Sequence, residues 1–312
     1  MSTPAQPPSR ILVIKLGALG DFVLAMGPFA AIRRHHPDSR IVLLTTAPFV
    51  PLARRCSWFD AVAIDRRAPW WNLRALLRLR RRLAGFDMVY DLQTSRRSSR
   101  YHRLAGRPPW SGIAPGASHP DDDPDRDYLH TVDRQRGQLR RAGIAAAPFP
   151  DLGFLRAGGP AIPGPFAVLV PGASPHRPAK RWAAERFGVL AARLHRERAL
   201  LPVVVGSADE APLAAAIRAA CPEALDLCGR TDLPALAALM GRAALAIGND
   251  TGPMHLAAAM GAPTLTLFSH ESDPALTAPN GPDPTRVAVL RVPDLSALDP
   301  APVLDRVATL LR

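Results

Sequence analysis

The sequence runs to 312 residues, 47% of them hydrophobic, which suits two ordinary domains and excludes a disordered chain. Its net charge of +12 lies wholly in the first half: 25 basic against 13 acidic residues in 1–157, and 14 against 14 in 158–312. That asymmetry directs the first half towards an anionic partner, nucleic acid or an acidic membrane surface, the bland alternative being a solvated Arg-rich surface. The most apolar stretch, 235–247, is interrupted by Arg242 and is too short to span a membrane. Residues 1–9 are polar and Pro-rich, and the apolar run 11–14 meets Lys15 too soon for a secretory signal, so a cytoplasmic chain is expected. Cys56, Cys221 and Cys228 are odd in number and lack zinc spacing, which reads as reduced thiols and no metal site.

In chain order, residues 11–14 form a short buried strand, followed by the Gly-bearing turn KLGALGD at 15–21 and a helix over 22–36. Strands are predicted at 41–45, 62–64, 88–90 and 112–114, with helices between them, among them the basic stretch 73–83. The segment 119–127 is acidic and reads as an exposed loop. Residues 157–165 are rich in Gly and Pro and read as a linker. The alternation then restarts: strands at 166–170, 201–205, 243–247 and 263–268, helices at 183–198, 211–220, 233–240 and 253–260. Alternating apolar strands and amphipathic helices imply parallel sheets covered on both faces, hence an α/β fold of two Rossmann-like domains, 1–157 and 158–312. Ligands of such folds bind at the carboxyl ends of the strands, so the two halves are expected to face one another across a cleft.

Three segments carry chemistry. In KLGALGD the glycines let backbone N–H groups approach a ligand where a helix begins, although the spacing is not the dinucleotide fingerprint and Asp21 could equally be a cap. PGAS at 171–174 leads to Lys180-Arg181-Trp182, a loop suited to a diphosphate, with backbone amides and the Ser174 hydroxyl as donors and Lys180 as countercharge. GNDTGPMH at 248–255 opens a helix with Pro253 near its first position, a second phosphate-compatible N-terminus. Lys15 and Lys180 are the two lysines among 39 basic residues, which suggests that a compact point charge matters at both places.

Together these blocks resemble glycosyltransferase family 9, typified by the ADP-heptose:lipopolysaccharide heptosyltransferases. The matching pieces are ILVIKLGALGD at 11–21, YDLQ at 90–93 with Arg97 and Ser98, residues 130–134, PGASPHRPAKRW at 171–182, VGSADE at 205–210, LCGRT at 227–231, and 247–268 from IGNDTGPMH to TLTLF. The resemblance implies a GT-B fold and an inverting transfer without metal or other cofactor. The donor is expected to be a sugar nucleotide, ADP-heptose, and the acceptor an anionic glycolipid of the lipopolysaccharide core. It implies Asp21 as general base, with Lys15, Gly20, Ser174, Lys180, Glu210, Asp250, Thr251, Gly252 and His255 on the donor side. Asp209 competes with Glu210 for the ribose. Arg96 and Arg97 are the expected acceptor contacts, Arg97 being the one expected to touch the acceptor directly, and peripheral attachment to the cytoplasmic face of the inner membrane is expected. A C-terminal helix that packs back on the first domain is also expected to be compatible with this arrangement. Nucleic acid is not expected, because the basic half has few aromatics to stack bases and no recognition motif. Another sugar nucleotide, or an epimerase on the same architecture, are the alternatives. The sequence departs from the family at 268–274 (FSHESDP), where a Gly-containing turn is common, and at 175–179, which is longer and Pro-richer; both touch the donor side.

Overall fold

The computed structural model describes residues 8–145 and 148–311, so residues 1–7, read above as no secretory signal, lie outside the described residues. Two compact units follow one another in the chain, Met1–Pro150 and Asp151–Arg312. The Gly/Pro segment 157–165 belongs to the second unit.

The first unit is built on β1 (Arg10–Ile14), β2 (Arg40–Thr45), β3 (Ala61–Ile64), β4 (Met88–Asp91), β5 (Trp110–Gly112) and β6 (His119–Pro120), in the spatial order β3-β2-β1-β4-β5-β6. The second uses β7 (Phe166–Val170), β8 (Leu201–Val204), β9 (Leu225–Asp226), β10 (Leu245–Asn249), β11 (Thr264–Phe268) and β12 (Val287–Arg291), in the order β12-β11-β10-β7-β8-β9. Every pairing is parallel, and the two orders are the same order counted from the first strand of each unit. Strands buried on both faces need unbroken apolar runs, which is why Ile11 to Ile14 and Phe166 to Val170 contain no polar residue. In each sheet the first strand lies beside the fourth, β1 by β4 and β7 by β10, and the crossover directions reverse there. This reversal leaves a crevice at the strands' carboxyl ends.

The structure corrects several expected elements. The helix over 22–36 is two helices, Leu19–Leu24 and Met26–His35, because Pro28 has no N–H to give the Leu24 carbonyl. The strand expected at 112–114 lies at Trp110–Gly112, where the fully buried Trp110 pairs with Val89. The strand expected at 243–247 extends through Gly248 and Asn249, which still pair with Val170 and Leu267. The acidic segment 119–127 begins with the short edge strand β6. The helix Arg96–Leu104 is one of those expected between strands, whereas strands β9 and β12 and the helix Thr131–Arg141 went unpredicted, the strands being short or half-exposed and the helix heavily charged. The C-terminal helix Pro300–Leu310 buries Val303 and Val307 in the core of the second unit, beside β12 and the helix Ala184–Arg198.

Trp182 joins that core to the loop after β7. Its indole Nε1 donates to the Leu298 carbonyl at 2.7 Å, and its ring meets Phe187 edge-on with centroids 4.7 Å apart. Phe187→Ala removes a fully buried ring and the partner of Trp182, so it should destabilise the protein by about 3–5 kcal/mol. Urea unfolding followed by tryptophan emission measures this; a loss below about 1 kcal/mol would mean that the core closes over the gap.

Candidate active site

In the first unit β1 delivers Lys15 into the crevice beside the end of β4. The side chain is 3% exposed, and its ammonium donates to the Leu92 carbonyl at 3.0 Å. Burial pulls the Lys15 pKa down, while the charges of Asp21 and Asp91 push it back up and Arg126 lowers it further. Asp91 ends β4 fully buried, and its Oδ1 accepts from the N–H groups of Gln93 and Thr94, each at 3.1 Å. Burial pushes its carboxyl up to about 6, against the Ser98 hydroxyl, those two N–H groups and the Lys15 charge.

Gly17 shapes the turn that follows Lys15. Its φ of +116° lies in the region that side chains avoid, and a Cβ would stand 2.6 Å from the Phe49 ring. The turn is pinned to β4 by Leu16, whose N–H donates to Gln93 Oε1 at 2.7 Å. It delivers Asp21 to the first turn of the helix Leu19–Leu24, where Oδ2 accepts from the Ala18 N–H at 3.2 Å. Gly20 precedes it in the same turn.

Lys15 and Asp21 line one cavity of about 340 Å³, together with Gln93, Arg126, Arg134 and Gln135. Arg126 is fixed by Asp121 at 2.5 Å and by the Thr94 hydroxyl at 2.8 Å. Gln135 is 4% exposed, and among the described residues neither its amide oxygen nor its amide nitrogen has a hydrogen-bond partner. A buried amide left in that state costs stability, so the cavity wall is built to receive polar groups. A carboxylate, two guanidinium groups and a buried ammonium around such a space can bind a hydroxylated, anionic molecule and take a proton from it.

The second unit repeats the plan at β7 and β10. Asn249, at the end of β10, accepts from the Trp182 N–H at 3.0 Å and donates to the Pro171 carbonyl at 2.7 Å, tying the two loops together. Next to it Asp250 Oδ2 accepts from the Lys180 ammonium at 2.5 Å and from the Ser272 hydroxyl at 2.7 Å. Thr251 then stands at the N-cap position of the helix Gly252–Ala259 without a side-chain cap hydrogen bond, and the first N–H groups of that helix have no carbonyl partners within it. His255 is buried in that helix. Glu210 accepts from the Ser207 N–H at 2.7 Å, and its carboxylate lies against Gly172, where any side chain would overlap it. Asp209 is exposed, and Ser174 sits on the exposed loop after β7.

The expected residues therefore fall into separate places. Lys15, Gly20 and Asp21 gather at the first crevice; Lys180, Asp250, Thr251 and Gly252 gather at the second, and Glu210 reaches the start of the loop after β7. The two arginines expected at the acceptor part company. Arg97 gives its Nε to the Tyr101 hydroxyl at 2.7 Å and an Nη to the Ala68 carbonyl at 2.8 Å, and it lies 3.9 Å from Asp65. Arg96 is exposed and lines another cleft, of about 550 Å³, with Arg100, Arg103 and Arg107. Sequence reasoning missed Gln93, Arg126, Gln135 and Ser272. Gln93 stood in a recognised block, and Ser272 stood in a segment noted only as a departure; Arg126 and Gln135 carried no local pattern. Among the described residues no group of three or more His, Cys, Asp or Glu is placed to hold a metal ion, and no helix is long and apolar enough to cross a membrane.

The profile of glycosyltransferase family 9 (heptosyltransferase) matches residues 76–299. Lipopolysaccharide heptosyltransferase 1 of Pseudomonas aeruginosa is 27% identical over 305 residues, 87% of this chain and 81% of that protein. Lipooligosaccharide heptosyltransferase 2 of Haemophilus influenzae is 34% identical over 120 residues, which cover 37% of this chain and only 34% of the relative. Among solved structures, E. coli heptosyltransferase WaaC with ADP-2-deoxy-2-fluoro heptose superposes with a TM-score of 0.78 at 20% identity, covering 96% of this chain and 99% of that one. The two parallel six-stranded sheets are those of this GT-B structure.

Asp91 gives the first crevice a pH signature. Its carboxyl titrates near 6 when folded and near 3.8 when unfolded, so between these values the native state holds the extra proton. Stability therefore falls as pH rises through that window. The amide of Asp91→Asn does not titrate, so its stability relative to the wild type should rise by about 3 kcal/mol between about pH 3 and pH 7. Urea unfolding of both proteins across this range is the measurement. A difference that does not vary with pH would show that Asp91 ionises in place without cost.

Proposed function

The chain belongs to glycosyltransferase family 9, and on that premise we propose that it moves a heptose from ADP-heptose to an anionic lipopolysaccharide-core acceptor, with inversion and without a metal ion. The observation that carries the reading is the family match, which runs from residue 76, within the basic helix of the first unit, to residue 299, just ahead of the C-terminal helix of the second. Asp21 takes the proton of the acceptor hydroxyl as its oxygen attacks the anomeric carbon. The bond from that carbon to the diphosphate breaks in the same displacement, so the configuration inverts and negative charge grows on the departing ADP. Lys180 and the free N–H groups of Thr251 and Gly252 stabilise that charge. Asp250 pairs with Lys180; a diphosphate would share or take over the ammonium, while the Ser272 hydroxyl keeps Asp250 in place.

The remaining donor-side roles follow the same reading. Glu210, rather than the exposed Asp209, faces the loop after β7 and receives the ribose hydroxyls; Ser174 and His255 complete the phosphate and sugar contacts. Lys15 and Gly20 support the Asp21 turn from the donor side. Gln135 and Arg134 supply the hydrogen bonds that a sugar acid needs in the Asp21 cavity. Arg96, exposed, remains an acceptor contact. Arg97, held by Tyr101 and Ala68, serves by positioning the helix that carries Arg96. The lipid anchor of such an acceptor brings the reaction to the cytoplasmic face of the inner membrane.

A panel of ADP-, UDP-, GDP- and dTDP-sugars tested by thermal shift decides the donor. A ligand bound only by the folded state at 100 times its dissociation constant adds about 2.7 kcal/mol, and ADP-heptose is the expected winner. Stabilisation by another nucleotide alone would sink the donor assignment. Asp21→Asn keeps the shape but cannot accept the proton, so turnover should fall roughly 10²- to 10⁴-fold with donor binding kept. Turnover at the wild-type level would reduce Asp21 to a turn former. Lys180→Ala should weaken donor affinity and slow transfer together, and Lys180→Arg should recover only part, because a planar fork does not sit where a point charge did. Unchanged affinity and rate in Lys180→Ala would remove this lysine from the site.

A further inference from the structure

The helices Leu73–Leu83 and Arg96–Leu104 pack side by side in the first unit. Residues 66–86 contain seven arginines and 92–120 contain five, with no carboxylate in either stretch. Among the described residues Arg97 is the one arginine of these two helices within ion-pair distance of an acid, Asp65. The first helix is anchored by Leu79 and Leu83, which enter the core of the unit. At about 100° per residue, Arg74, Leu77, Arg78 and Arg81 lie on the opposite side. There the pattern breaks the rule for a solvated face. Leu77 is 56% exposed, Leu73 at the first position 71%, and Trp71 just ahead of the Asn72 cap 83%.

Trp70, the neighbour of Trp71, links the helices: the guanidinium groups of Arg97 and Arg100 lie over its ring at 5.2 and 5.3 Å. Arg100 also lines the cleft it shares with Arg96, Arg103 and Arg107, a space of about 550 Å³ walled by Ile113 and Pro115. The surface therefore offers three apolar prongs set among unpaired arginines, beside a groove of four more.

We propose that this two-helix face docks on an anionic lipid bilayer, with Trp71, Leu73 and Leu77 entering the headgroup region and the arginines meeting lipid phosphates. Charge complementarity selects this occupant. An apolar row flanked by arginines is the composition of a helix that lies in a membrane interface, where Trp and Leu reach the acyl boundary and Arg reaches up to the headgroups. A nucleic acid would use the arginines but gain nothing from exposed leucines. A second copy of the chain would bring the same uncompensated charge to the contact. Docking in the plane of the bilayer would hold the first unit where a lipid-linked acceptor is presented, and in this respect the inference rests on the acceptor class proposed above.

Vesicles of neutral phosphatidylcholine, with and without phosphatidylglycerol, provide the test by co-sedimentation of the whole protein. Binding is expected only with the anionic lipid and should weaken steeply as salt rises from about 0.1 to 0.5 M. Arg74→Gln/Arg81→Gln should lower the partition coefficient about thirty-fold, the loss expected for two basic residues near an anionic surface. Trp71, 83% exposed, is the one exposed tryptophan among the described residues, so emission should shift to the blue on vesicles, and Trp71→Phe should abolish that shift. All these positions are exposed, so melting temperatures should be unchanged, and transfer to a delipidated, water-soluble acceptor should proceed at the wild-type rate. Equal binding to neutral vesicles, or full binding by the double variant, would overturn the proposal. So would absence of vesicle binding alongside self-association that Leu77→Ser removes. Vesicle binding as described with no transfer from any donor would leave the docking face standing and defeat the proposed reaction instead.

Discussion

Both lysines of the chain stand where the first and fourth strands of a sheet run side by side and end together. A parallel sheet of this strand order opens at that point and at no other, because the helices that follow the two strands depart to opposite faces. A cation placed there is surrounded by chain ends rather than by water. Lys15 illustrates the consequence: burying an ammonium costs several kcal/mol unless it is compensated, and here the Leu92 carbonyl accepts a hydrogen bond from it while the nearby charges of Asp21 and Asp91 favour its charged form. Lys180 meets the same requirement through Asp250. In each case the carboxylate at or just beyond the fourth strand faces a lysine from beyond the first. The strand pairings β1–β4 and β7–β10 thus set the chemistry of both crevices before any loop is considered.

The identity of the cation follows from that setting. A guanidinium remains charged in almost any environment and needs a planar partner for its fork, whereas an ammonium can be held by one carbonyl and one carboxylate in a small space. The chain uses arginine nearly everywhere else, and those arginines lie on surfaces or, like Arg97 and Arg126, in networks with flat partners: a ring, a carboxylate, a backbone carbonyl. The choice of lysine at two positions is thus explained by geometry, with the composition serving only to make it visible.

Much of this was legible in the sequence, and the reasons differ by element. Central strands could be read from 11–14 and 166–170 because burial on both faces forces an unbroken apolar run. The edge strands β6, β9 and β12 could not, since half-exposed or two-residue pairings leave no period to detect. The loops holding Lys15, Asp21, Lys180 and Asp250 were legible because glycines and a proline mark the tight backbone where a strand gives way to a helix. Gln135 was invisible for the opposite reason. It comes from the middle of a helix with four arginines, and only folding reveals that its amide faces a cavity rather than water. Ser272 illustrates a further limit: it reaches Asp250 from the far side of β11, a contact that no local pattern encodes.

The division of charge now has a physical account. The second unit is neutral overall and concentrates its working charge in one ion pair, so its field is short-ranged and acts on what is already bound. The first unit spreads its excess over arginines that lie largely outside the Asp21 cavity. Exposed charges of that kind contribute little to stability one by one. Summed over a surface they create a potential that extends for about a Debye length, roughly 8 Å at physiological ionic strength. A small soluble donor needs no such reach, because it is captured by contact with a few groups. An acceptor confined to a surface does, since the protein must approach that surface and stay there between encounters. On the reaction proposed above, the positive excess would go with the lipid-linked acceptor and the neutral unit with the soluble donor.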